Sequence, residues 1–188
     1  MENKTFIDKV VNSLRNAAVE LEELQVQAAL GKAEAKDKWE ETKHGFTHYL
    51  HETKSKVQGE GGERWQEVQA AMDRLKVQLA LGKAETSDAY HEQKKKISNA
   101  IHDLQLKIKK DEKLGKAYSL LNVEAEKFKL KMESLEGKFD ESKVKAEESF
   151  EEKKKDFNRF VETVENKLST DSEGRWSNFQ DEMSEAFS

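Results

Sequence analysis

His44 and His48 stand four residues apart in the stretch KHGFTHYLH (43–51), which also carries His51. On a helix that spacing places two imidazoles on one face, where they could chelate a divalent ion. Glu41-Thr42-Lys43-His44 also fits the E-x-x-H element of carboxylate-bridged di-metal bundles. Such a centre needs a second E-x-x-H at the same height, and the nearest counterpart is Asp88-Ala89-Tyr90-His91. A hairpin turning at the glycine-rich stretch QGEGGE (58–63) makes residues level when their numbers sum to about 120. That counterpart, beginning at Asp88, then lies level with residue 32 and not with residue 44, roughly 18 Å away along the bundle at 1.5 Å per residue. No di-metal centre is expected. His44 and His48 remain a weak candidate for a surface chelate, and no cofactor is expected.

Glu34, Asp37 and Glu41 recur as Glu85, Asp88 and Glu92, so paired carboxylates for acid–base work have to be weighed. Lysines lie beside all of them at helical spacing, and surface ion pairing accounts for them. The runs Lys94–Lys96 and Lys153–Lys155 wrap around a helix instead of lining a stripe, which fits a solvated surface. There is no glycine-rich phosphate loop and no G-x-S-x-G motif. No catalytic residue is expected, and the chain is expected not to be an enzyme.

The elements that carry these residues are helical. The 188-residue chain has no proline and no cysteine, with 38% charged and 35% hydrophobic residues. Without proline, long helices are permitted; without cysteine, disulfides and thiolate chemistry are excluded. The net charge of −5, with both signs interspersed, is not the basic footprint that nucleic acid requires. No long apolar run exists, so neither a transmembrane helix nor a signal-peptide core is expected, and the expected location is the cytoplasm.

The stretch LQVQAALGKAEAKDKW (24–39) returns as LKVQLALGKAETSDAY (75–90), with Gly31 falling on Gly82 and Trp39 on Tyr90. A third, weaker copy places Phe150 on Trp39 and Ser142 on Gly31, and carries GERWQEVQAAM (62–72) onto EGRWSNFQDEM (173–183), so that Trp176 falls on Trp65. The chain thus reads as a duplicated helical hairpin, copy one over 1–110 and a shortened copy two over 114–188, within a single elongated bundle over 1–188. Apolar residues recur in steps of three and four through Trp65, Val68, Met72, Leu75 and Leu79, and again through Leu121, Ala125, Phe128, Met132 and Leu135. That is coiled-coil patterning. The expected fold is all-α: an elongated antiparallel bundle of three long helices, each about 50 residues and about 75 Å, plus a short fourth helix begun by Trp176.

Glycines inside long helices need a reason, since each costs about 1 kcal/mol relative to alanine. The level rule sets Trp39 beside Gly82 and Tyr90 beside Gly31, so a ring opposite a missing side chain is expected; a pocket for an apolar ligand is the alternative. Trp65 and Trp176, each just after a turn, are expected to close the ends of the core. The seam from Leu114 to Phe150 is only partly covered by the short helix. It must pack on the first two helices, on a second copy in a homodimer, or on a ligand.

The function expected is structural: a rod that acts as spacer, scaffold or oligomerisation module for a protein partner or for itself. In gross design it resembles spectrin-type antiparallel coiled-coil bundles. The alternative is reversible binding to a lipid or other apolar surface, in the manner of exchangeable apolipoproteins or granule-coating phasins. The Lys/Ala/Glu-rich stretch KAEAKDKWEETK also resembles desiccation-associated helical proteins, although the aromatic seam predicts cooperative folding.

Overall fold

The computed structural model describes residues 2–26, 31–57, 63–109, 115–139 and 143–170. All regular structure among them is helical: α1 (Glu2–Val26), α2 (Lys32–Val57), α3 (Glu63–Leu79), α4 (Ser87–Lys109), α5 (Gly115–Phe139) and α6 (Lys143–Thr170). Each expected 50-residue helix is therefore two helices. The longest, α6, has 28 residues, or about 42 Å at 1.5 Å per residue. The 75 Å rod is not formed.

The breaks fall at the same place in all three sequence copies: between Val26 and Lys32, between Leu79 and Ser87, and between Phe139 and Lys143. Local chemistry accounts for two of them. The Gly31 carbonyl accepts the first helical bond of α2 from the Ala35 N–H at 3.0 Å. Glu34 reaches back to accept from the Gly31 N–H at 3.1 Å. That is half of a capping box, with glycine as the N-cap. In the second copy Thr86 caps α4, its Oγ1 accepting from the Ala89 N–H at 3.1 Å. The residue aligned with Thr86 in the first copy is Ala35, which cannot cap, and α2 starts about one turn earlier. One hydroxyl shifts the start of the helix.

α3 and α4 run antiparallel, tied by Arg74–Asp103 at 2.9 Å and Lys107–Glu67 at 3.5 Å. α2 packs antiparallel on α3 through Lys54–Asp73 at 2.9 Å. α5 runs antiparallel to α4, with the Gln105 amide donating to Asn122 Oδ1 at 2.7 Å and Tyr90 Oη donating to the Met132 carbonyl. Contacts join α2 to α3, α3 to α4, α4 to α5 and α5 to α2, so these four close a square. α1 and α6 then pack on the remaining side of α5 and on each other.

Two cores result, and α5 belongs to both. Leu121, Ala125, Phe128, Met132, Leu135 and Phe139 enter the core of α2, α3 and α4. Val123 and Leu130 enter the core of α1 and α6, beside Leu14, Leu21, Phe150 and Phe157. From 120 to 139, no α5 residue is exposed. Between 120 and 139, the seam expected to pack on a neighbour is thus covered within the chain.

Candidate functional site

Trp39 and Tyr90 are both buried and touch each other, rings edge to face with centroids 5.2 Å apart. Trp39 also lies 5.8 Å from the Phe128 ring, and Tyr90 stacks on Phe139 at 4.3 Å. The glycines expected opposite these rings are elsewhere. Gly31 and Gly82 are exposed, and a Cβ built on either meets no atom within 4 Å. The size-complementarity expectation fails because the chain turns back at the glycine instead of running past the ring. α4 then brings Tyr90 to Trp39.

The same turn forms a buried polar junction. Lys43 is only 1% exposed. Its ammonium donates to the Leu81 carbonyl at 2.9 Å and lies 3.5 Å from that of Gly82. It also pairs with Glu40 at 2.7 Å and sits 5.4 Å from the centre of the Trp39 ring. Gln93 completes the junction, accepting from Trp39 Nε1 at 3.0 Å and donating to the Gly82 carbonyl at 2.6 Å. A cation set on carbonyls just past the end of α3 also opposes the helix dipole favourably. This holds α2 against the α3–α4 turn. Lys43 occupies a core position between Trp39 and Phe46, and that signal was readable in the sequence.

The histidines do not assemble. His44, His48 and His51 are exposed, and His48 Nε2 lies 3.4 Å from Glu52. Among the described residues, no group of three or more His, Asp or Glu could hold a metal ion. The recurrent carboxylates pair on the surface, Glu85 with Lys36 and Glu92 with Lys96. Trp65 is buried near the start of α3, its indole N–H without an acceptor among the described residues. Phe150 is buried between α6 and its neighbours. Trp176 lies outside the described residues.

A cleft of about 670 Å³ opens between α4 and α6, floored by α5. Leu130, Met132, Phe157 and Phe160 supply its apolar surface, and Lys94, Glu133 and Lys153 a charged rim. The lysine runs read as solvated surface are partly interfacial here. Lys94 bonds both Glu133 and Glu136, Lys153 reaches Glu133 at 2.9 Å, and buried Lys154 pairs with Glu22 at 2.8 Å. Burial alone would push the Glu133 carboxyl up, but the hydrogen bonds and charges of Lys153 and Lys94 outweigh it and hold its pKa below the ordinary value. Lys94 is the mirror case: burial favours its neutral form, yet Glu136 and Glu133 hold its pKa above the ordinary value. A smaller, more polar cleft of about 350 Å³ lies on the opposite flank, lined by Glu20, His44, Gly45 and Lys131 among others.

Among the described residues, no helix is long and apolar enough to cross a membrane. Compared with known protein families, curated proteins and solved structures, the chain matches none, so its geometry alone carries the functional reading.

Proposed function

We propose that the protein is a non-catalytic structural and interaction module: a repeat-built helical block that acts as a spacer, scaffold or oligomerisation unit for protein partners. The observation that supports this is α5, buried against α2 and α4 on one side and α1 and α6 on the other. A helix shared by two cores couples them, so load or binding at one bundle is felt by the other. The repeated helix–break–helix pattern supports the same reading, because such units bury their faces on one another. Among the described residues, most large apolar side chains are taken up in the cores, and Val19, Val77 and Leu106 are the exposed ones, which favours this reading over lipid binding.

Vesicle flotation combined with circular dichroism tests this directly. A block of this kind stays with the protein fraction, keeps its helicity and unfolds in one cooperative transition. Flotation accompanied by a change in helicity would bring back the lipid-surface alternative. Sedimentation equilibrium then separates a monomeric spacer from an oligomerisation unit.

A further inference from the structure

We propose that the protein pairs with a second copy of itself by exchanging halves: α3 and α4 run on as one helix, and α1–α3 of each copy pack on α4–α6 of the other. This rests on the oligomerisation reading above and names the partner. Three observations at the turn between α3 and α4 carry it.

The first is what bonds the turn. In a continuous helix the Leu81 carbonyl accepts from the Glu85 N–H, and the Gly82 carbonyl from that of Thr86. Here the Lys43 ammonium takes the Leu81 carbonyl at 2.9 Å, and the Gln93 amide takes that of Gly82 at 2.6 Å. Side chains of α2 and α4 thus act as a latch, occupying the acceptors that helical continuation needs. The second is composition. Leu79-Ala80-Leu81-Gly82-Lys83-Ala84-Glu85 has no proline and, apart from Gly82, only strong helix formers. The apolar rhythm keeps its phase from Leu75 and Leu79 through Gly82, Thr86 and Ala89.

The third is fit. Carried forward along a straight α3, the registers of Lys54–Asp73 and Arg74–Asp103 set Thr86 and Ala89 level with Trp39 of the same chain and Tyr90 of the partner subunit. Small side chains then face large rings, as close packing requires. A second copy is needed for this. One chain straightening alone would uncover the core faces of α3 and α4, Leu75, Tyr90, Ile97 and Ile101 among them, all buried in the closed form. That loss far exceeds what the hydrogen bonds of the turn contribute. Exchange between two copies rebuilds the contacts between the halves and changes only the turn.

The chain has no cysteine, so Ala70→Cys with Leu106→Cys gives two clean spin-label sites in the full-length protein. The pairs Arg74–Asp103 and Lys107–Glu67 put these sites side by side in the hairpin. In a continuous helix they stand 36 residues, about 54 Å, apart. Labelled chain refolded at high concentration with excess unlabelled chain should give a dimer showing the long distance. Lys43→Met, or Gln93→Glu, which keeps the acceptor for Trp39, should tighten that dimer at least about tenfold, because each dimer opens two latches. Two glycines inserted after Gly82 break the apolar phase and should leave monomer with the short distance. A dimer that keeps the short distance, or one equally strong in the parent, the latch variants and the glycine insertion, would overturn the exchange and leave the oligomerisation reading standing. Monomer alone at every concentration, in the parent and both latch variants, would overturn the two together.

Discussion

On the α2–α4 side of α5 the core is aromatic: Trp39 meets Tyr90 and Phe128, Phe46 stacks on Phe128 at 4.7 Å, and Tyr90 stacks on Phe139. On the α1–α6 side the core is smaller, built from Leu14, Ala17, Leu21, Val123, Leu130, Phe150, Phe157 and Val161. Charged pairs rim that second core, Glu20 with Lys127 and Lys131, and Glu22 with Lys154. The two sides of one helix are thus held by different physics. Rings in mutual contact specify one packing, whereas a smaller, mostly aliphatic core rimmed by ion pairs is expected to tolerate adjustment and to depend on pH. Because α5 belongs to both, loss of the aromatic core should release the other.

Trp39→Ala should be the most damaging single change. It empties a fully buried site and strips Gln93 of its indole donor, which predicts a loss of about 3–5 kcal/mol. Phe157→Ala removes a ring from the second core beside an open cleft, where neighbours can relax, so the loss should sit at or below about 3 kcal/mol. Urea unfolding of both variants checks the order. Equal losses would mean that the two cores are not distinct in rigidity.

Lys43 comes next. Lys43→Met keeps much of the stem's volume but leaves the Leu81 carbonyl without its donor, and about 1–3 kcal/mol should be lost. Lys38→Met, a neighbouring lysine of α2 that pairs with exposed Glu41, should cost under about 1 kcal/mol. A similar loss at both positions would show that the junction contributes no more than a surface pair.

Much of this was legible in the sequence, and what failed did so for a definite reason. The helical class, the burial of Trp39, Tyr90 and Trp65, and the surface pairing of Glu85 and Glu92 follow from spacing and residue type. The level rule also held locally, since Asp37 lies 3.8 Å from Lys83. The breaks were misread because the three–four apolar rhythm keeps its phase through Leu75, Leu79, Gly82, Thr86 and Ala89. An uninterrupted rhythm looks the same whether the helix continues or restarts. The cap chemistry of Gly31 with Glu34, and of Thr86 before Ser87 and Asp88, was the signal that distinguishes them. The cleft had no such signal, because it depends on which helices end up flanking α5.

pH acts on ion pairs that α5 makes with α4, α6 and α1 alike. Glu133 is held below the ordinary 4.5 once the pull of Lys153 and Lys94 overcomes burial, and Glu20 is held down likewise by Lys131 and Lys127 against burial. Their contributions are present above 4.5 and are lost as pH falls through the lower folded values. Lys94, held above 10.5, contributes below that pH and loses its part as pH rises through its folded value. Glu133→Gln should therefore flatten the acid limb of the stability curve and lower stability modestly near neutrality. An acid limb as steep as that of the parent would place the acid sensitivity elsewhere.

Gly82→Leu should do least, and it separates the observed turn from the continuous helix that the apolar rhythm suggests. Packed against Trp39 in a straight helix, the new side chain would cost about 1–3 kcal/mol by overcrowding. In the turn, a Cβ at Gly82 meets no atom within 4 Å. The Gly82 carbonyl, which Gln93 holds, is unchanged by what the Cα carries. Removing glycine also narrows the unfolded ensemble, a gain of about 0.4–1 kcal/mol where the backbone suits other residues. Gly82→Leu and Gly82→Ala should accordingly melt within a few degrees of the parent. A loss above about 1 kcal/mol in the leucine variant alone would mean that the ring of Trp39 does lie against this position, and that α3 runs on into α4 without the turn.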